Sequence, residues 1–164
     1  MFPFKDHHGS ALSIDLADEA SGRITVCPSL IQMDRTGFRC QFDARVPLCA
    51  TKENCSDVVE AVCKSHGFTV EGEMEPGHQV PADSKFVQVL LRCYEEETGK
   101  TGKCVAIGGG TYVHNIPGGV AFGAGDMEFD SHLHGANERA RVSALMQAAR
   151  IYANVIVELC GEDA

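Results

Sequence analysis

The 164-residue sequence has no C-x-x-C pair, no apolar run near the roughly 20 residues a membrane-spanning helix needs, and no excess of basic residues. Each absence removes a class of function. With 14 Lys+Arg against 23 Asp+Glu the formal charge is −9. A phosphate backbone is bound by a basic surface, so nucleic acid is not an expected partner. The opening Met1-Phe-Pro-Phe-Lys-Asp-His-His lacks the basic-then-apolar order of a secretory signal, so neither export nor a membrane is expected. The eight cysteines, at 27, 40, 49, 55, 63, 93, 104 and 160, form no local zinc knuckle. Without a secretory signal they are expected to be reduced core thiols of a cytoplasmic protein. The length suffices for one ordinary domain or two small lobes with a real core.

The pattern predicts an α/β (α+β) chain in two parts, 1–78 and 79–164. Ile24-Thr-Val-Cys and Leu30-Ile-Gln-Met read as strand, Asp34-Arg-Thr-Gly as turn, and the next run alternates strictly. Phe38, Cys40, Phe42, Ala44 and Val46 fall on one face and Arg39, Gln41, Asp43 and Arg45 on the other. Thr51 is an N-cap for a helix with Cys55, Val58, Val59, Val62 and Cys63 inward and Gly67 as its stop. A strand from Phe68 to Met74 would complete a β-β-α-β lobe. Prolines 76 and 81 with Gly77 mark a boundary. Beyond it, Asp83 or Ser84 caps a helix burying Phe86, Val89, Leu90 and Cys93. Cys104-Val-Ala-Ile and Val120-Ala-Phe-Gly read as covered strands. The last helix is expected to bury Val142, Leu145, Met146, Ala149, Tyr152, Ala153, Ile156, Leu159 and Cys160 and to end at Gly161.

Three places could carry chemistry. Glycines 108–110 directly follow a predicted buried strand, where backbone can meet a ligand, but the Lys and helix of a phosphate loop are missing; a plain turn is the alternative. Ser131-His-Leu-His-Gly-Ala-Asn-Glu138 puts two imidazoles and a carboxylate in one loop, which suits zinc. Solvated histidines, with Asn137 or Glu138 capping the helix, are the other reading. Arg45 offers a rigid fork matched to a carboxylate, or a simple ion pair with Asp43.

Taken in order, D-x-R-x-P (Asp43 to Pro47), a helix, H-x-x-P (His78 to Pro81), G-G-G-T-Y (Gly108 to Tyr112), F-G (Phe122-Gly123) and H-x-x-N-E (His134 to Glu138) precede a terminal I-Y-A helix. This order resembles the C-terminal portion of the metallopeptidase M20 family, and within it the dipeptidase branch of PepV-like and Xaa-His dipeptidases, over roughly residues 12–160.

The resemblance implies the second half of a ferredoxin-like lid lobe in 1–78, followed by the closing α/β segment of a zinc peptidase catalytic domain in 79–164. It implies two zinc ions in the intact enzyme, with His134 matching the last ligand. Arg45 matches the lid arginine that grips a dipeptide carboxylate, and Gly109, Gly110, Thr111 and Tyr112 the loop lining the cleft. The H-x-D ligands and the catalytic Glu pair belong to a half upstream of Met1, so no catalytic residue is assigned here. Two departures stand out. The family's G-G-T-Y-A-R has His114 at its arginine position, and F-G-x-x-F-P-G becomes Phe122-Gly-Ala-Gly-Asp-Met.

Two functions follow as expectations. One is the C-terminal part of a zinc-dependent dipeptidase, inactive and at best weakly zinc-binding alone, since a catalytic zinc needs three protein ligands. The other is a non-catalytic binding module that dimerises or complements a separate N-terminal half, because unpaired edges and apolar patches invite association.

Overall fold

A computed structural model of the chain describes residues 3, 5–123 and 129–161. These form a mixed α/β structure with two small antiparallel sheets and three α-helices. The described chain divides into two compact units, 1–79 with 106–110, and 80–105 with 111–164.

In the first unit, β1 (Ala17–Asp18) pairs with β2 (Gly22–Arg23), and β3 (Thr25–Met33) with β4 (Phe38–Arg45). The β3–β4 turn is closed by Asp34. Its Oδ1 accepts from Thr36 N–H (2.7 Å) and Gly37 N–H (3.2 Å), and its own N–H donates to the Gly37 carbonyl (3.0 Å). Alternation along β4 holds from Arg39 to Arg45, with Cys40, Phe42 and Ala44 half-buried and Arg39, Gln41, Asp43 and Arg45 exposed, whereas Phe38, expected on the inward face, is exposed at the hairpin end. A bulge between Pro28 and Leu30 keeps Val26, Pro28, Ile31 and Met33 opposite Ala44, Phe42, Cys40 and Phe38.

Helix α1 (Asp57–Ser65) is entered through a π-helical turn, Lys52–Ser56. Thr51 caps it reciprocally: Asn54 N–H donates to Thr51 Oγ1 (3.3 Å) and Thr51 N–H to Asn54 Oδ1 (2.7 Å). Gly67, at φ 80°, ends it while Phe68 N–H reaches back to the Cys63 carbonyl (3.0 Å). Val59, Cys55 and Cys63 close over the hairpin together with Leu12, Ile14, Ile24, Val26 and Ala50. Gly9 sits at φ 67°, and a β-carbon there would stand 2.6 Å from Ile14 Cγ1, so this approach requires glycine.

The second unit packs α2 (Lys85–Thr98) on α3 (Val142–Cys160) through Val89, Leu90, Cys93, Ile151 and Val155. Ser84 caps α2, accepting from Val87 N–H (3.3 Å), and Gly99 ends it at φ 67°. Arg92–Glu158 and Arg150–Glu97 ion pairs flank the contact.

Four expectations are overturned. Residues 68–74, 104–107 and 120–123 form no strand, because an extended run becomes a strand only where a neighbour completes its ladder, and none does so among the described residues. The β-β-α-β lobe therefore stands as β-β-α in the first unit. Phe86 is exposed and Val87 is buried in its stead. Of the stripe expected to be core in α3, only Leu159 joins the packed cluster; the buried pair, Ile151 and Val155, lies on the opposite side of the helix. Cysteines 27, 49, 104 and 160 are exposed, and only 55, 63 and 93 are buried. Burial pushes those three thiols up, away from the reactive thiolate.

Candidate functional site

Arg45 ends β4, opposite Thr25, on the exposed face of the hairpin. Its Nε donates to Asp43 Oδ1 at 2.7 Å, so the ion pair expected as one alternative is present, made two residues along the same strand. That bond occupies one edge of the guanidinium. Nη1 turns toward the glycine segment, which returns to this unit as residues 106–110. A β-carbon on Gly109 would stand 3.0 Å from Nη1, and one on Gly108 would stand 3.7 Å from Arg45 Cβ. The glycines thus let bare backbone lie against the arginine, and a Gly110 β-carbon would meet nothing within 4 Å. Two candidates far apart in sequence, Arg45 and Gly109, are neighbours in space.

Thr111, Tyr112 and His114 belong to the second unit. A single 3-10 turn, Tyr112–Asn115, carries Tyr112 and His114 with Thr111 at its N-cap, and Tyr112 is 94% exposed. Thr111 N–H donates to His114 Nδ1 (3.2 Å), which makes Nδ1 the acceptor and places the neutral ring's proton on Nε2. The Thr111 hydroxyl leans toward the His114 N–H without reaching hydrogen-bond geometry, and is buried without a partner among the described residues. An orphaned hydroxyl costs desolvation free energy that an incoming polar group would recover. The altered loop beginning Phe122-Gly123 continues through 124–127, which lie outside the described residues.

The histidine loop, 130–141, precedes α3 and is closed by Arg139, whose N–H donates to the Ser131 carbonyl (3.0 Å) and whose Nε donates to the Asp130 carbonyl (3.1 Å). Arg139 and Arg141 both lie over the Phe129 ring, at 5.7 and 4.4 Å from its centroid. His132, His134 and Asn137 all take left-handed backbone, φ 52°, 61° and 59°. Such positions are unfavourable for side-chain-bearing residues and collect where geometry serves a site.

The two histidines differ. His132 is engaged on both nitrogens, with Nδ1 3.3 Å from the Ala136 carbonyl and Nε2 3.1 Å from Asp130 Oδ2. His134 is exposed, and among the described residues its imidazole makes no hydrogen bond. Neither Asn137 nor Glu138 caps the helix: α3 begins at Val142, with Arg141 as an N-cap that makes no side-chain bond. Both lie too far upstream to reach the free N–H groups of its first turn. Among the described residues no three His, Cys, Asp or Glu side chains converge on one point, so the donors seen here do not by themselves fit a zinc ion. No helix in the described residues is long and apolar enough to cross a membrane.

No family model matches the chain. It is similar to the "Beta-Ala-Xaa dipeptidase" of Lactobacillus delbrueckii subsp. lactis, 33% identical over 161 residues, covering 97% of this chain and 34% of that protein. It is similar also to "Putative dipeptidase SH1171" of Staphylococcus haemolyticus, 31% identical over 96% of this chain and 34% of that protein. A third relative, "Putative dipeptidase YtjP" of Bacillus subtilis, is 31% identical over 94% of this chain and 33% of its own length. The chain spans about a third of the length of the curated relatives it matches.

Proposed function

We propose that this chain is the closing third of a zinc dipeptidase of the M20 type, supplying the grip on the substrate carboxylate and one metal ligand but no complete catalytic centre. Supporting this is a match that runs through almost the whole chain to proteins named as dipeptidases. The observation that carries it is the seating of Arg45 against Gly108 and Gly109, with Nη1 beside bare backbone. A guanidinium flanked by glycine can receive a planar carboxylate without a side chain in the way.

On this reading Gly110, Thr111, Tyr112 and His114 are substrate-binding residues as well, as the resemblance implies. His134, whose imidazole is unengaged among the described residues, is the ligand rather than His132. The other ligands and the acid-base pair would come from the two thirds of the relatives' length that this chain does not match. No step of the reaction is derived through the metal, because the donors present do not assemble its site.

The test is a chimaera in which this chain replaces the matching third of the Lactobacillus delbrueckii beta-Ala-Xaa dipeptidase. The chimaera should hydrolyse a free dipeptide faster than its C-terminal amide. Arg45→Ala should lower kcat/KM for the free acid roughly 30-fold to 1000-fold and erase the preference, as loss of a charge-assisted bidentate contact does. A variant that still prefers the free acid would leave Arg45 as the partner of Asp43 only. A folded chimaera without hydrolysis would make the chain a non-catalytic binding module.

A further inference from the structure

Asp43 and Arg45 alternate with Ala44 on β4, so both side chains leave the same face of the hairpin, opposite Cys27 and Thr25 of β3. That face is exposed, and an exposed ion pair adds little to stability. What the 2.7 Å bond from Arg45 Nε to Asp43 Oδ1 does is fix a long side chain that would otherwise turn freely about each of its single bonds. Among the described residues it is the one hydrogen bond or ion pair that this guanidinium makes.

A guanidinium can take both oxygens of a carboxylate along its side, through Nε and the adjacent Nη, or across its end, through the two Nη groups. With Nε held by Asp43, the side that begins at Nε is closed to a second carboxylate, and the end remains. That end carries Nη1, which lies 3.0 Å from where a β-carbon on Gly109 would stand. The stem is held too, since a β-carbon on Gly108 would lie 3.7 Å from Arg45 Cβ and 3.8 Å from Cγ. Just beyond the strand, the Leu48 N–H donates to Ser21 Oγ (2.8 Å) and the Cys49 N–H to Asp18 Oδ2 (3.0 Å), which anchors the backbone. Backbone, stem and Nε are fixed, and the Nη end is left to meet a ligand.

We propose that Asp43 is the positioning residue of the carboxylate-gripping Arg45: by accepting from Nε it turns the guanidinium so that a free substrate carboxylate is received end-on by the two Nη groups. The inference deepens the preceding reading and rests on it for the identity of the ligand. Two effects of Asp43 oppose each other. Its negative charge weakens the attraction of the arginine for a second carboxylate, whereas its hydrogen bond removes in advance the side-chain freedom that binding would otherwise cost. Asparagine keeps the acceptor oxygen and drops the charge, and alanine drops both. Orientation therefore predicts opposite outcomes for the two substitutions, while charge alone predicts the same outcome for both.

The experiment titrates the 164-residue chain with N-acetyl-alanine as a free carboxylate, followed by nuclear magnetic resonance at the Arg45 Nε–H and the Gly109 N–H, with N-acetyl-alanine amide as the control. Both signals should shift saturably with the acid and stay still with the amide. Asp43→Ala should weaken binding about ten-fold, while Asp43→Asn should bind as tightly as wild type or more tightly. Unchanged signals elsewhere show that the variants keep the fold. In the dipeptidase chimaera the same pair is read as KM for the free dipeptide, raised about ten-fold by alanine and not by asparagine, with kcat and hydrolysis of the amide unmoved, since the carboxylate is held equally before and during the reaction. Tighter binding by both variants would make Asp43 a counter-charge only, equal binding by all three a bystander, and equal loss in both a structural prop. Each of these overturns the proposal, as does a wild-type chain whose Arg45 signal ignores the acid, or a loss in kcat in place of the change in KM. A chimaera without hydrolysis, beside the expected order in the titration, counts against the dipeptidase reading alone.

Discussion

Two carboxylates show how single residues hold the first unit together. Asp18 receives the Ser21 N–H (2.6 Å), the Ser21 hydroxyl (2.8 Å) and the Cys49 N–H (3.0 Å), tying the β1–β2 turn to the chain leaving β4. Those bonds, the Ser21 backbone first, hold its carboxyl down to about 2 from an ordinary 3.8. Asp15 is likewise held to about 2, chiefly by the Arg23 guanidinium and then by the Ser10 hydroxyl. Because both folded values lie below the unfolded one, the stabilisation is fully present above the ordinary carboxylate range. It is lost as pH falls through the interval from about 4 to about 2. Thermal unfolding followed from pH 7 to pH 2 should therefore show a flat midpoint down to about pH 5 and a fall below it. The fall should be shallower in Asp15→Asn with Asp18→Asn, and equal slopes in the two proteins would remove these carboxylates from the account.

At the scale of elements, α3 has two apolar faces of unequal present use. Ile151 is fully buried against α2, so Ile151→Ala should cost about 2–5 kcal/mol, the transfer loss plus the cavity left behind. Leu145→Ala removes a largely exposed side chain and should change stability by about 0.5 kcal/mol or less. Urea unfolding of the two variants decides it, and similar losses would mean the packed face is misassigned. The flanking pairs Arg92–Glu158 and Arg150–Glu97 lie at the surface, Glu97 alone half-buried, and contribute about 0–1 kcal/mol each, so the register of the two helices rests on the apolar contact.

For the whole molecule, the distribution of donor groups predicts weak metal affinity. With no three donors converging among the described residues, zinc binding by the 164-residue chain should be weaker than about micromolar. A micromolar site corresponds to about 8 kcal/mol, more than a lone exposed imidazole supplies. Calorimetry with His134→Ala as comparison tests this. Stoichiometric binding tighter than micromolar would show a donor set that His134 alone does not explain.

What the sequence by itself determined about this protein is what depends on near neighbours. The hairpin turn at Asp34, the in-and-out order of Arg39 to Arg45, the Thr51 and Ser84 caps and the glycine stops at 67 and 99 were all legible, because each is set within a few residues by side-chain period, capping chemistry or backbone freedom. The ordered motifs that single out Arg45, Gly109 and His134 as candidates are likewise local. Contacts between distant segments were decided only by the tertiary structure. Leu12 and Ile14, among the most buried residues, precede any recognisable periodic element. Periodicity located the apolar residues of α3 but could not tell which of its two faces meets α2. Apolar runs at 104–107 and 120–123 carried the composition of strands without neighbours among the described residues to complete a ladder. The approach of Arg45 to Gly108 and Gly109 has no local signature, since it depends on how the chain returns to the first unit rather than on either residue's neighbours.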